Sequence, residues 1–173
     1  MTKLILRVIM SRTKVKIQQE ISDVQYGFVK DFGTRNSIFV LRILCERSIE
    51  MQQKLFPCFI DYTKAFDKVQ HQSLIKILDS INIDGKDLRL LTSLYWEQKA
   101  AVRVADSVSD FVPIKRGVRQ GCVLSPDLFN IYSEMIMRNL EDMKGCVTGG
   151  QNVNNLRYAD DAVLISNSEE NLR

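Results

Sequence analysis

Apolar residues recur every three or four positions from about Lys3 to Gln19 and again from about Asn36 to Lys54, and each run predicts a helix. In the first, Leu4, Ile5, Val8 and Ile9 form the apolar side; in the second, Ile38, Leu41, Cys45, Ile49 and Gln52 share a face. The two helices are expected to pack as a helical lobe. Between them, Gly27 and Gly33 bracket Phe28 to Phe32, which reads as a loop or a short strand pair. The period then gives way to a continuous apolar run, Leu55 to Ile60, that ends on Asp61. Pro57 lies inside that run, so the strand is expected to start just after it.

Helical spacing returns over Gln72 to Ile81 and Asp84 to Lys99, the second with Leu88, Leu91, Leu94 and Tyr95 on one side. Ala101 to Val104 and Phe111 to Ile114 alternate enough to predict a hairpin across Asp106 to Asp110, with Pro113 at an edge. Ser125-Pro126-Asp127 opens another helix, with Ser125 as N-cap and Leu128, Ile131, Tyr132 and Met135 as its stripe, ending near Gly145. Tyr158-Ala159-Asp160-Asp161, followed by the apolar Ala162 to Ile165, is best placed at a hairpin turn, since successive strand side chains point to opposite faces. The pattern has no repeat or linker, and the fold class it predicts is α+β.

A chain of 173 residues with 45% hydrophobic content can bury a core and fits one domain or two joined lobes. The net charge of +3 neither demands nor excludes a nucleic-acid partner. Its distribution is more informative: Lys3, Arg7, Arg12, Lys14 and Lys16 stand against Glu20 alone in the first twenty residues. That segment suits contact with phosphates and equally suits a solvated helix face. Cys45, Cys58, Cys122 and Cys146 lack the short paired spacing of zinc sites and are expected to be reduced thiols, mostly buried. With no signal peptide and no membrane-length apolar stretch, the expected location is intracellular, in nucleus or cytoplasm, away from membranes.

Three segments carry the candidate chemistry. Phe59-Ile60-Asp61-Tyr62-Thr63-Lys64-Ala65-Phe66-Asp67 sets a carboxylate at a strand end and an aromatic five residues later. Arg116-Gly117-Val118-Arg119-Gln120-Gly121-Cys122 brings donors and glycines that can approach phosphate closely. Asp160 and Asp161, adjacent acids beside strand sequence, are costly near a core unless a cation neutralises them, and a divalent metal does that well.

Taken together and in this order, the three segments resemble the reverse transcriptases of non-LTR, LINE-type retrotransposons, over nearly the whole chain. Gln25-Tyr26-Gly27-Phe28 through Gly33-Thr34-Arg35, with Ile38-Phe39, resembles the block that precedes these motifs in the family. The resemblance implies right-hand polymerase fingers and palm, the palm an antiparallel sheet packed on helices, with residues about 1–54 and 69–118 fingers-like and about 55–68 and 119–173 palm. It implies that the thumb, the segments between the last hairpin and the thumb, and the upstream fingers are missing. The activity implied is RNA-directed DNA polymerisation, transferring nucleotides to a primer 3′-OH through two Mg²⁺ ions, for which Mn²⁺ can substitute. Its partners would be an RNA template, a DNA primer and deoxynucleoside triphosphates, and the oligomeric state is unspecified.

By the same resemblance, Asp61 and Asp160 bind both metals, Asp161 supports them and the Tyr62 carbonyl completes one shell. Phe66 lies under the sugar and selects deoxynucleotides, Gln120 and Gly121 line the nucleotide pocket, and Tyr158 lies near the primer terminus. Arg116 and Arg119 are either phosphate contacts or surface charges. Asp67 is read as accepting hydrogen bonds from the turn after Phe66, and Asp61 taken alone could be a helix cap. The lone histidine, His71, is expected to be exposed and not a general base. Two departures bear on activity: Asp31-Phe32 stands where the family commonly has a glycine and a basic residue, and Val123 where many members have proline. The alternatives are an inactive remnant or domesticated nucleic-acid-binding module, and an aspartyl phosphotransferase loop at Asp61, which lacks a second aspartate two residues on.

Overall fold

The computed structural model describes residues 2–96 and 98–172, and only the backbone of Thr2, Lys3, Tyr95 and Trp96. The expected packing of the Tyr95 side chain therefore lies outside the described residues. In chain order the elements are α1 (Thr2–Glu20), α2 (Thr34–Glu50), β1 (Phe56–Asp61), α3 (Ala65–Lys68), α4 (His71–Ser80) and α5 (Gly85–Trp96). There follow β2 (Lys99–Ala100), β3 (Arg103–Val104), β4 (Ser107–Val108), β5 (Val112–Pro113), α6 (Ser125–Met137), β6 (Cys146–Thr148), β7 (Gln151–Val153), β8 (Asn155–Tyr158) and β9 (Asp161–Ser166). The chain forms two compact units, Met1–Glu20 with Lys64–Tyr132 and Ile21–Thr63 with Ser133–Arg173.

In the first unit, α1 buries Ile9, Thr13 and Ile17, four residues apart and so on one stripe. The expected apolar side differs, because Leu4, Ile5 and Val8 are exposed and only Ile9 of that set is buried. Much of the basic stripe is used inside the fold: Arg12 Nε lies 3.0 Å from buried Asp87 on α5, and the Lys16 ammonium donates to the Asn82 carbonyl. Leu74 and Leu78 of α4 and Leu91 of α5 fill the adjoining core.

The expected hairpin is built differently. Lys99 pairs with Pro113 and Ala100 with Val112, while Arg103 and Val104 pair with Val108 and Ser107. Ala105 takes a left-handed φ of 51°, closing an inner turn tighter than the predicted one. Pro113 sits in a two-stranded ribbon, where every strand is an edge.

Helix α6 starts one residue earlier than expected: Leu128 N–H donates to Leu124 O, so Leu124 provides the cap carbonyl and the Ser125 hydroxyl instead donates to Arg119 O at 2.5 Å. The helix ends at Met137, short of Gly145, and a 3-10 turn at Arg138–Leu140 follows. Burial pushes the Asp127 carboxyl above its ordinary pKa, against the opposing pull of Lys14. A raised folded-state pKa adds stability below the unfolded value and loses it as pH rises through the folded one. Asp127→Asn is therefore expected to be more stable than the parent at neutral pH and to flatten the stability profile across the acid range, as urea melts from pH 3 to 8 would record. A steeper profile in the variant would contradict this.

The second unit contains a three-stranded antiparallel sheet in the order β1-β9-β8. Phe56 faces Ser166 and the pairing runs through to Asp61 opposite Asp161, so the strand includes Pro57, tolerated because β1 is an edge. Tyr26, Leu44, Leu156, Val163 and Ile165 form the core, with Val40 and Leu41 packed against it. The expected face of α2 is thus displaced, since Ile38 is 63% and Ile49 77% exposed. Apolar residues occur on both sides of α2, and the sheet selects the side that carries Leu44. The helix stops at Glu50, short of the expected Lys54, where Gln52 turns left-handed at φ 51°. The four cysteines are free, as expected, but none is buried: Cys45 and Cys58 are exposed and Cys122 and Cys146 intermediate.

Candidate functional site

Strands β8 and β9 are joined by the two-residue turn Ala159-Asp160, and Tyr158 pairs with Asp161 across it. Ala159 adopts φ 58°, as the mirror-image turns of two-residue hairpins require. On the other edge of β9, Asp61 is the register partner of Asp161. Directly opposed residues project from one face, so Asp61, Asp161 and Tyr158 share it. Asp61 and Asp161 are exposed and Asp160 is half-buried. Asp61 and Asp161 border an open cavity of about 310 Å³ that Phe59, Ile38 and Tyr158 also line. Tyr62 follows β1 directly, its phenol pushed up by burial and pulled back by Arg157.

Like charges directly opposed in a sheet repel, and a cation between them removes that cost. The donors are oxygens only, which suits a hard ion such as Mg²⁺. Among the described residues no three His, Cys, Asp or Glu side chains are gathered closely enough to cage a metal. Mg²⁺ does not require such a cage, because it binds through one or two carboxylates and completes its octahedron with water and phosphate oxygens. The donor set therefore fits the ion.

The hairpin is held from behind by residues far away in sequence. Tyr26 N–H donates to Arg157 O at 2.8 Å and Arg157 N–H to Val24 O at 2.8 Å, a parallel bridge centred on Gln25. The Gln25 side chain, 1% exposed, accepts from Gly27 N–H at 2.8 Å and Ala159 N–H at 2.9 Å, and its Nε2 lies 3.4 Å from Ala159 O. A Cβ on Gly27 would stand 2.0 Å from Ala159 N, so only glycine lets the segment lie this close to the turn. Arg157 Nη2 pairs with Glu134 at 3.0 Å, and Glu134 also accepts from Ser22 N–H at 3.1 Å. Burial pulls the Arg157 guanidinium below its ordinary pKa and Glu134 opposes this. Sequence reasoning gave Gln25 no role beyond its place in the block resembling the family, and it missed Glu134. Their one signal is polarity in apolar company, as with Arg157 between Leu156 and Tyr158.

The remaining candidates lie in the first unit. Phe66 stacks on Phe129 with ring centroids 4.5 Å apart and 15° between planes. Its carbonyl accepts from Val118 N–H at 2.9 Å, and Val69 O accepts from Gly117 N–H at 2.8 Å, tying α3 to the glycine-containing loop. Gly117 has φ 97°, and an added Cβ would sit 3.2 Å from Asp67 O. His71 is buried, contrary to expectation, because its Nε2 meets Gly117 O at 2.8 Å and so fastens the same loop. Asp67, read as accepting hydrogen bonds from the turn after Phe66, is exposed; it is its backbone that packs against Gly117, and its N–H donates to Lys64 O at 3.0 Å. Arg119 is exposed, with Nη2 3.4 Å from Leu94 O, and Gly121 is left-handed at φ 76°. Lys115, Arg116, Arg119 and Gln120 border an open cavity of about 520 Å³, a cationic setting for phosphate. The structure thus gathers Asp61, Tyr62, Tyr158, Asp160 and Asp161 in the second unit and Phe66, Arg119, Gln120 and Gly121 in the first.

A family model described as reverse transcriptase (RNA-dependent DNA polymerase) matches residues 1–173. The chain is 28% identical over 149 residues to a Retrovirus-related Pol polyprotein from type-1 retrotransposable element R2 of Nasonia vitripennis, covering 86% of this chain and 14% of that protein. It is 29% identical over 169 residues to an RNA-directed DNA polymerase from mobile element jockey of Drosophila funebris, covering 96% of this chain and 18% of that protein. The chain thus spans less than a fifth of the length of either relative. Among solved structures, apo telomerase from Candida tropicalis superposes with a TM-score of 0.69 at 14% identity, over 96% of this chain and 32% of that one. The same enzyme with a TWJ fragment of telomeric RNA gives 0.70 at 15% identity, over 95% of this chain and 29% of that one. Among the described residues no helix is long and apolar enough to cross a membrane.

Proposed function

Because this chain belongs to the reverse transcriptase (RNA-dependent DNA polymerase) family, with the fingers and palm fold and non-LTR retrotransposon relatives, we propose that it carries the nucleotidyl-transfer site of an RNA-directed DNA polymerase. The observation that carries the reading is the register of Asp61 against Asp161 beside the Ala159-Asp160 turn. Asp61 and Asp160 would hold two Mg²⁺ ions, with Asp161 in support and the Tyr62 carbonyl as a further oxygen ligand. When bound, the metals neutralise charge on the primer 3′ oxygen and on the departing pyrophosphate. The residues' own part is to present oxygen ligands from two strands whose spacing the sheet sets.

In the same reading Tyr158 lies near the primer terminus, while Gln120, Gly121 and Arg119 take the base, sugar and phosphates of the incoming deoxynucleotide. Phe66, stacked flat on Phe129, is held against rotation and so can exclude a 2′-hydroxyl by shape. The fingers-like and palm division at residues about 1–54 and 69–118 against 55–68 and 119–173 belongs to this proposal, as do the RNA template and DNA primer.

Primer extension on a primed RNA template with Mg²⁺ and deoxynucleotides tests the proposal, with Asp160→Asn alongside. Extension by the parent and none by the variant supports it. If both folded proteins are inert yet bind RNA in a salt-sensitive way, a non-catalytic binding module is the better description. Phe66→Val is expected to raise ribonucleotide incorporation relative to deoxynucleotide by roughly tenfold or more, the scale on which pocket shape discriminates. An unchanged ratio would remove Phe66 from that role.

A further inference from the structure

We propose that Gln25 is a positioning residue that sets the carboxylate-bearing turn through both backbone groups of Ala159. The inference rests on the cation-site reading above and adds to it a residue outside the three chemistry-bearing segments. A non-glycine residue at φ 58° persists only where its surroundings over-determine it. Gln25 supplies that determination: its Oε1 accepts the Ala159 N–H at 2.9 Å while its Nε2 faces Ala159 O at 3.4 Å. The side-chain amide thus acts on residue 159 as a neighbouring strand would, at a point where the hairpin has run out of strand.

The segment is already attached to β8 by backbone bonds between Tyr26, Val24 and Arg157. The side-chain bonds to Ala159 are additional, and they reach only the turn. Gly27 completes the arrangement, since its N–H occupies the second lone pair of Gln25 Oε1 at 2.8 Å and fixes the amide's orientation. Asp160 and Asp161 follow Ala159 directly, so a peptide flip at Ala159 would re-aim the first carboxylate and shift the second.

Mn²⁺ binding, read by electron paramagnetic resonance of the free ion, tests this in the parent, Asp160→Asn, Gln25→Met and Gln25→Glu, with thermal melts on each. The methionine is close in shape and its thioether is at most a weak acceptor, whereas glutamate keeps the acceptor. Gln25→Met is expected to bind Mn²⁺ about tenfold more weakly, the usual scale for residues that orient a ligand from behind, and Gln25→Glu to recover most of that loss. Parent affinity in folded Gln25→Met, or equal weakness in both variants, overturns the proposal. Hydrogen exchange in the parent alone gives a second reading. The Ala159 amide should exchange at least about a hundredfold more slowly than an unprotected amide, and exchange at the unprotected rate overturns the proposal with no variant made. Absence of Mn²⁺ binding in the parent, unchanged in Asp160→Asn, instead overturns the cation-site reading, while the exchange rate still reports on the turn.

Discussion

Glu134→Ala is expected to lower the unfolding free energy by about 3–5 kcal/mol, the cost of stranding one member of a buried ion pair. Arg157 and Glu134 side chains are only 2% and 5% exposed. Arg157 Nε and Nη1 have no hydrogen-bond partner among the described residues, so Nη2 carries the whole compensation for a buried charge. Removing Glu134 also takes the acceptor from Ser22 N–H, and that bond anchors the start of the segment leading to Gln25. Urea unfolding followed by circular dichroism checks this, and a loss below about 1 kcal/mol, the scale of an exposed pair, would show that the pair is solvated. The double variant Arg157→Met with Glu134→Met is expected to regain most of the loss, because an apolar pair of similar size avoids the desolvation of two charges.

Asp61→Asn is expected to reduce primer extension by on the order of a thousandfold or more, since in the proposed reading it removes a metal-bearing carboxylate and with it several kcal/mol of transition-state stabilisation. In metal-free buffer the same change should leave the melting temperature equal or higher. The parent opposes two carboxylates across β1 and β9, an arrangement unfavourable without a cation. Opposite signs for activity and stability separate a functional carboxylate from a structural one. Loss of both together would make Asp61 the helix cap that its position before α3 also permits.

The parts legible in sequence were those where one local rule had no competitor. The Tyr158 to Asp161 turn followed from strand alternation, because no straight strand turns adjacent carboxylates to one side. Helices α4, α5 and α6 followed from period and breakers to within a few residues at their starts. The face of α2 was not legible, because Ile38, Phe39, Val40, Leu41 and Leu44 leave two candidate stripes and only the sheet chooses between them. His71 was misplaced for a related reason: its partner, the Gly117 carbonyl, is 46 residues away and leaves no local trace. Gln25 and Glu134 escaped likewise, since polar residues that satisfy distant backbone groups look like ordinary surface positions. In the candidate site the carboxylates were readable from motif spacing, whereas the groups that hold them in place were not.

The pairing of β1 with β9 also governs how the molecule comes into being. Asp61 and Asp161 are a hundred residues apart in the chain, and closing so long a loop costs about 4 kcal/mol of chain entropy before any pairing repays it. The Gln25 bonds to Ala159 span 134 residues. Helices α4 and α5 are neighbours in sequence, pack on each other and can form early, but the carboxylate face exists only after the two distant ends of the second unit have met. Folding should accordingly be slow for a chain this rich in helix. On the ribosome, the carboxylate pair cannot form until β9 has emerged, so for most of its synthesis the growing chain presents Asp61 with no strand opposite it.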